Sequence, residues 1–238
     1  MSLGTHEAAY VTERARRWEL GAKQERPVVE RFAEILRARF RISEDALQVK
    51  RFDELIFGEF PPEESEWAKG SPDFMISIAV GGELRYVYPE VKTKAQEFRK
   101  TLTGGLTASG QHIAKYECTS YYLDEVPVYE NMVNFAQATG IDEDSFILIF
   151  ADPELEDLRY VSLRHLREMV EMGWELADGS VVPLCKYGDG YGATTWLIPK
   201  EATRSVWDMT LDNLKLILSR HLVDGATVSI PSDLALGG

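Results

Sequence analysis

The chain's 238 residues, 45% hydrophobic and 27% charged, suffice for one sizeable α/β domain with a real core, in ordinary globular composition. No apolar run approaches the ~20 residues of a membrane span, which excludes a membrane-spanning helix. A net charge of −13 argues against a general polyanion binder, yet residues 1–115 carry 18 Lys+Arg and 18 Asp+Glu, so the whole excess lies in residues 116–238.

Met1 to Glu7 lacks the basic-then-apolar order of a signal peptide. Cys118 and Cys185 stand far apart and match no metal spacing, so free thiols in a reducing cytoplasm are expected. Residues 8–40 read as helix, with a break near Ala22 to Arg26 because Pro27 suits a first-turn position. Val28, Val29, Phe32, Ile35, Leu36 and Phe40 recur at helical spacing and predict a core face. The arginines of this region lie mostly off that face. A solvated surface is the reading for the later ones, and phosphate contact is the alternative for Arg14, Arg16 and Arg17.

Two short apolar runs, Leu47 to Val49 and Leu55 to Phe57, suit a first core strand. The acidic, proline-containing Pro61 to Gly70 reads as a loop. Phe74 to Val80 and Glu83 to Lys92 are β-prone runs separated by Gly81-Gly82, the signature of a two-residue hairpin whose turn positions need φ > 0. Pairing Val80 with Glu83 sets Asp73 opposite Glu90 at a non-hydrogen-bonded position, with Cβ atoms about 4.5–5.5 Å apart. Two carboxylates so placed repel, and a divalent cation between them would relieve the repulsion. Lys92, two residues past Glu90, shares its face. Pro89 cannot donate to a ladder and predicts an edge or a bulge. Asp73 as a turn residue and Glu90–Lys92 as a solvated ion pair are the plain alternatives.

Leu102 to Gly110 is glycine- and threonine-rich and reads as a flexible loop. Ser109 is placed to cap a helix from about Gly110 to Tyr122, with Gln111 and Lys115 on one face. His112 has no second histidine near it and reads as a surface residue. Val126 to Gly140 suits a helix, Phe146 to Phe150 a buried strand, and Leu163 to Met172 a helix capped by Ser162 and stopped by Gly173. A later strand is expected over Ala193 to Ile198 and an amphipathic helix over Val206 to Leu222. Gly188 to Gly192 lacks the Gly-Lys-Ser/Thr of a phosphate loop, and Asp142 to Asp144 lacks calcium-loop spacing.

Pro72-Asp73 at the head of one strand and Glu90-Val91-Lys92 on the next resemble the PD-(D/E)xK nuclease superfamily, matching every lettered position of its pattern over about two dozen residues. The resemblance implies a restriction-endonuclease-like three-layer α/β/α core with a mixed central sheet. It implies one domain over residues 1–238, with the core at about 10–151 and an acidic extension at about 152–238. The implied function is Mg²⁺-dependent hydrolysis of DNA phosphodiester bonds, with Mn²⁺ as substitute. Asp73, Glu90 and the Val91 carbonyl would hold the metal and Lys92 would act on water or the developing charge. A first-helix glutamate in many members reaches the metal; Glu25 and Glu30 are the two candidates. Lys94 is read as a phosphate contact or a plain surface lysine. Gln111 is placed near the site, although a Gln-x-x-x-Tyr pattern used by some members is unmet, because Lys115 stands where the tyrosine would. Cutting both strands would favour a homodimer. An inactive DNA- or protein-binding module keeping the nuclease fold, and a small-molecule enzyme using the acidic pair as acid and base, are the other readings.

Overall fold

The computed structural model describes residues 25–52, 55, 70–92, 99–106, 112–175, 179, 181–182, 184, 186–188 and 194–223. The first described element is a helix over residues 25–40, α1. It buries Val28, Val29, Phe32, Ala33, Ile35 and Leu36, the stripe expected from their spacing. Its exposed side carries the Arg26–Glu30 and Arg31–Glu34 pairs at 2.8 and 2.9 Å, each worth only a few tenths of a kcal/mol.

Three antiparallel strands follow: β1 (Leu47–Arg51), β2 (Phe74–Val80) and β3 (Glu83–Lys92). Gly81 and Gly82 have φ of 59° and 84°, the left-handed conformation a tight hairpin turn demands and glycine supplies without steric cost. The register runs from Val80↔Glu83 to Ile76↔Val87 as the turn dictates. After β3 come β4 (Arg99–Leu106), β5 (His112–Glu125), the helix α2 (Val126–Thr139) and β6 (Phe146–Ala151). β7 (Leu158–Ser162) leads into α3 (Leu163–Met172). Short strands β8 (Trp174–Glu175), β9 (Val181–Val182) and β10 (Lys186–Gly188) precede β11 (Thr194–Pro199), β12 (Arg204–Ser205) and α4 (Leu211–Ile217).

The main sheet has six strands in the order β1-β2-β3-β6-β7-β12. It is mixed: β3 and β6 are parallel while the other neighbours are antiparallel. Side-chain alternation sorts its residues onto two faces. Phe74, Ile76, Ile78, Val87, Val91, Ile147 and Ile149 pack with α1 and α4. Met75, Tyr86, Tyr88, Phe146, Leu148 and Phe150 pack with α2, α3 and residues of a second sheet, ordered β10-β11-β5-β4. β6 is buried at every position, which explains its unbroken apolar run: it is covered on both faces.

Several expectations are corrected. Residues 112–125 form a strand, not a helix over 110–122, and of the loop expected over Leu102 to Gly110 the described part, 102–106, lies in its partner strand β4. The β-branched and aromatic content of Ile113, Tyr116, Thr119, Tyr121 and Tyr122 outweighs local helical spacing once two neighbours offer ladders. Pro89 is not on an edge: β3 lies between β2 and β6, and Pro89 pairs in parallel with Ile147. Its missing N–H falls on the side of β2, beyond Ile76↔Val87, where the recorded ladder has ended. The final helix is limited to Leu211–Ile217 by a capping box at Thr210 and an extended Leu218; Val206 and Met209 are buried in the turn before it. α3 has the cap and stop expected, with the Ser162 hydroxyl accepting from His165 N and Gly173 at φ 89°. Of the run Leu55 to Phe57, only Leu55 is among the described residues.

Candidate active site

Asp73 sits one residue before β2, where the hairpin strands part. Its backbone carbonyl accepts from Phe52 N at 3.0 Å, continuing the β1–β2 register. Its carboxylate Oδ2 accepts from Val91 N at 2.7 Å. The side chain thus replaces a ladder partner for β3 and lies in the plane of the sheet. In a strand the N–H and C=O of one residue point to the same side, so the Val91 carbonyl also leaves β3 towards Asp73.

Glu90 and Lys92 lie on the other-parity face, with Tyr86 and Tyr88, and are 8% and 5% exposed. Lys92 Nζ donates to Glu90 Oε1 at 2.5 Å. The Glu90 carboxyl is also within hydrogen-bonding reach of Asp73. The buried ammonium is therefore held by a buried carboxylate, without which its desolvation would be prohibitive.

The carboxyl of Asp73 is pushed up to about 6, first by burial, then by the negative charge of Glu25, with Lys92 opposing. Glu25 opens the described part of α1 and lies 3.8 Å from Arg51 on β1. The guanidinium of Arg51 also stands over the Phe74 ring at 5.5 Å. Asp73 thus feels Glu25, Glu90 and Lys92 together, and burial does more than the charge of Glu25 to raise its pKa.

The structure brings together Asp73, Glu90, Val91 and Lys92, and adds Glu25. Glu30, the other first-helix candidate, is turned to solvent in its pair with Arg26. Lys94, Gln111, Arg14, Arg16 and Arg17 lie outside the described residues. Sequence reasoning missed two neighbours. Tyr121, 1% exposed, donates its hydroxyl to the Lys92 carbonyl, and its ring packs tilted against Phe150, the β6 residue paired with Lys92, with centroids 4.6 Å apart. Arg51 is the other; no local pattern marks either, because both arrive from strands distant in sequence.

A divalent cation suits this donor set. The carboxyls of Asp73 and Glu90 lie within reach of each other, and that of Asp73 is already raised, first by burial and then by the charge of Glu25. Among the described residues no three His, Cys, Asp or Glu side chains form a complete cage.

No protein-family model and no curated protein matches the sequence. Among solved structures, the chain is similar to D212, a nuclease from a fusselovirus, at 11% identity and a TM-score of 0.43 over 83% of this chain and 90% of that one. No helix among the described residues is long and apolar enough to cross a membrane.

Proposed function

We propose that this protein is a Mg²⁺-dependent nuclease that hydrolyses DNA phosphodiester bonds by PD-(D/E)xK chemistry, on a restriction-endonuclease-like α/β/α core. One observation carries the reading: the Asp73 carboxylate, held by Val91 N at 2.7 Å, stands beside a buried Glu90–Lys92 pair. A merely structural ion pair would gain nothing from a second acid, Asp73, beside it and a third, Glu25, acting on Asp73. A metal-binding centre needs that charge.

Asp73, Glu90 and the Val91 carbonyl would hold the metal, and Glu25 adds negative charge that acts on Asp73. When bound, the metal supplies Lewis acidity towards the scissile phosphate and lowers the pKa of water. Lys92 is bonded and aimed by Glu90, so its ammonium can orient water or offset charge developing on phosphorus. Val91 N fixes the Asp73 carboxylate and removes its freedom to turn away. Tyr121 holds the end of β3 from which Lys92 projects.

The −13 net charge favours the second reading, an inactive module that retains the nuclease fold. Incubation of the protein with plasmid and linear DNA in Mg²⁺, Mn²⁺ or chelator decides between them, with Lys92→Met as the control. This substitution roughly keeps side-chain length and removes the ammonium, its charge and its hydrogen bond to Glu90. Wild type should cut with metal alone, and the variant should retain divalent binding while cleavage falls by about 10²–10³, the usual loss for one electrostatic group. Cleavage undiminished in Lys92→Met would remove Lys92 from the mechanism. Wild type that cuts no DNA with Mn²⁺ would leave the binding module.

A further inference from the structure

We propose that the β4–β5 ribbon is an arm that grips duplex DNA, rooted on the strand end that carries Lys92. This deepens the nuclease reading and rests on it for the site the arm serves. β5 has two parts. From Ser120 to Glu125 it pairs with β11 and belongs to the body of the second sheet. From His112 to Thr119 its recorded partner is β4, in a register running from Leu106↔His112 to Lys100↔Thr119. β4 is the outer strand of that sheet. Among the described residues the far part of the ribbon is therefore two-stranded. Eight residues at about 3.3 Å each give it a reach of about 26 Å.

The root of this arm is at the candidate active site. Tyr121, the first buried tyrosine past the two-stranded part, bonds the Lys92 carbonyl and packs against Phe150. What the arm holds is thus positioned relative to Lys92.

The arm's charge is opposite to that of the protein. Its strand positions Arg99–Leu106 and His112–Thr119 include Arg99, Lys100 and Lys115 against the single acid Glu117, in a chain of net charge −13. Arg99 and Lys100 stand at its base, opposite Ser120 and Thr119. Lys115 stands at a register shift between Thr103↔Tyr116 and Gly105↔Ile113. A bulge there bends and twists the ribbon, and Gly104 and Gly105 let another backbone approach closely. The major groove of duplex DNA, about 12 Å wide, admits a two-stranded ribbon. A carboxylate-lined centre in an acidic protein needs such a cationic grip to bring a polyanion in. The ribbon's dimensions select a duplex over a single strand, which would be bound along a groove with stacking platforms.

The test is fluorescence anisotropy of a labelled duplex of about two helical turns, in chelator so that nothing is cut. Wild type is compared with the Arg99→Gln/Lys100→Gln/Lys115→Gln variant over a range of salt, with a single strand of equal length alongside. Each lost phosphate contact lowers the salt slope by about 0.9. The variant should therefore show a slope smaller by about 2–3 and duplex affinity at least about 10-fold weaker at moderate salt. Its single-strand binding should change far less. Glu117→Gln, which removes the arm's acid, should tighten duplex binding and guards against a misfolded triple variant. Wild type that does not bind the duplex, an unchanged slope in the triple variant, or equal losses on duplex and single strand would overturn the proposal. Hydrolysis of the small diester bis(p-nitrophenyl) phosphate with Mn²⁺ separates the two readings. It should be equal in wild type and triple variant; its absence from both would sink the nuclease while the anisotropy result still judges the arm.

Discussion

The burial of Asp73, with the charge of Glu25 added to it, predicts that the site destabilises its own fold. Its carboxyl is raised from 3.8 to about 6, so the folded protein binds that proton more tightly than the unfolded chain. A raised acid contributes stability that is present below the unfolded pKa and lost as pH rises through the folded one. The metal-free protein should lose that contribution between about pH 4 and about pH 6. The shift corresponds to about 3 kcal/mol at neutral pH, at about 1.4 kcal/mol per unit. That is a sizeable share of the 5–15 kcal/mol of a typical domain. Asp73→Asn removes the charge but keeps an oxygen that can accept from Val91 N. It should make the chelator-treated protein more stable above about pH 6, by up to about 3 kcal/mol, and leave it nearly unchanged below about pH 4. It should also abolish the thermal stabilisation by Mg²⁺ or Mn²⁺, which acts by mass action on the folded state. The assay is urea unfolding in chelator across this pH range, read as the difference between variant and wild type so that other titrating groups cancel. A flat difference, or a variant less stable at neutral pH, would refute the electrostatic reasoning.

Glu25→Gln should lower the Asp73 pKa, because Glu25 is the largest charge raising it. The inflection in the same unfolding difference should move towards lower pH, while divalent affinity measured by calorimetry weakens through loss of a nearby negative charge. Tyr121→Phe keeps the ring on Phe150 but withdraws a donor from the Lys92 carbonyl. Stability should fall by about 1–2 kcal/mol, and cleavage should fall in kcat with KM unchanged; a loss of stability with kcat intact would make the contact purely structural.

Local sequence determines the centre of this molecule because a glycine pair leaves the hairpin one register. Gly81 and Gly82 adopt positive φ, Val80 meets Glu83, and the two-residue period of a strand then carries Asp73 and Glu90 to the same end and Lys92 to Glu90's face. α1, β6 and α3 were legible for the same reason: their apolar spacing, cap and stop residues agree with the packing they find. What local pattern could not decide is whatever depends on a partner far along the chain. Residues 112–125 carry a helix-like cap and spacing, yet β4 and β11 draw them into a ladder. Pro89 reads as an edge residue, yet it sits inside the sheet because only one side of β3 loses its partner there. Glu25 and Tyr121 reach the site from 48 residues before Asp73 and 29 residues after Lys92. Tertiary structure alone brings Glu25 to bear on Asp73 and Tyr121 onto the Lys92 carbonyl, because propensity is a property of neighbours in sequence while electrostatics and ladders are properties of neighbours in space.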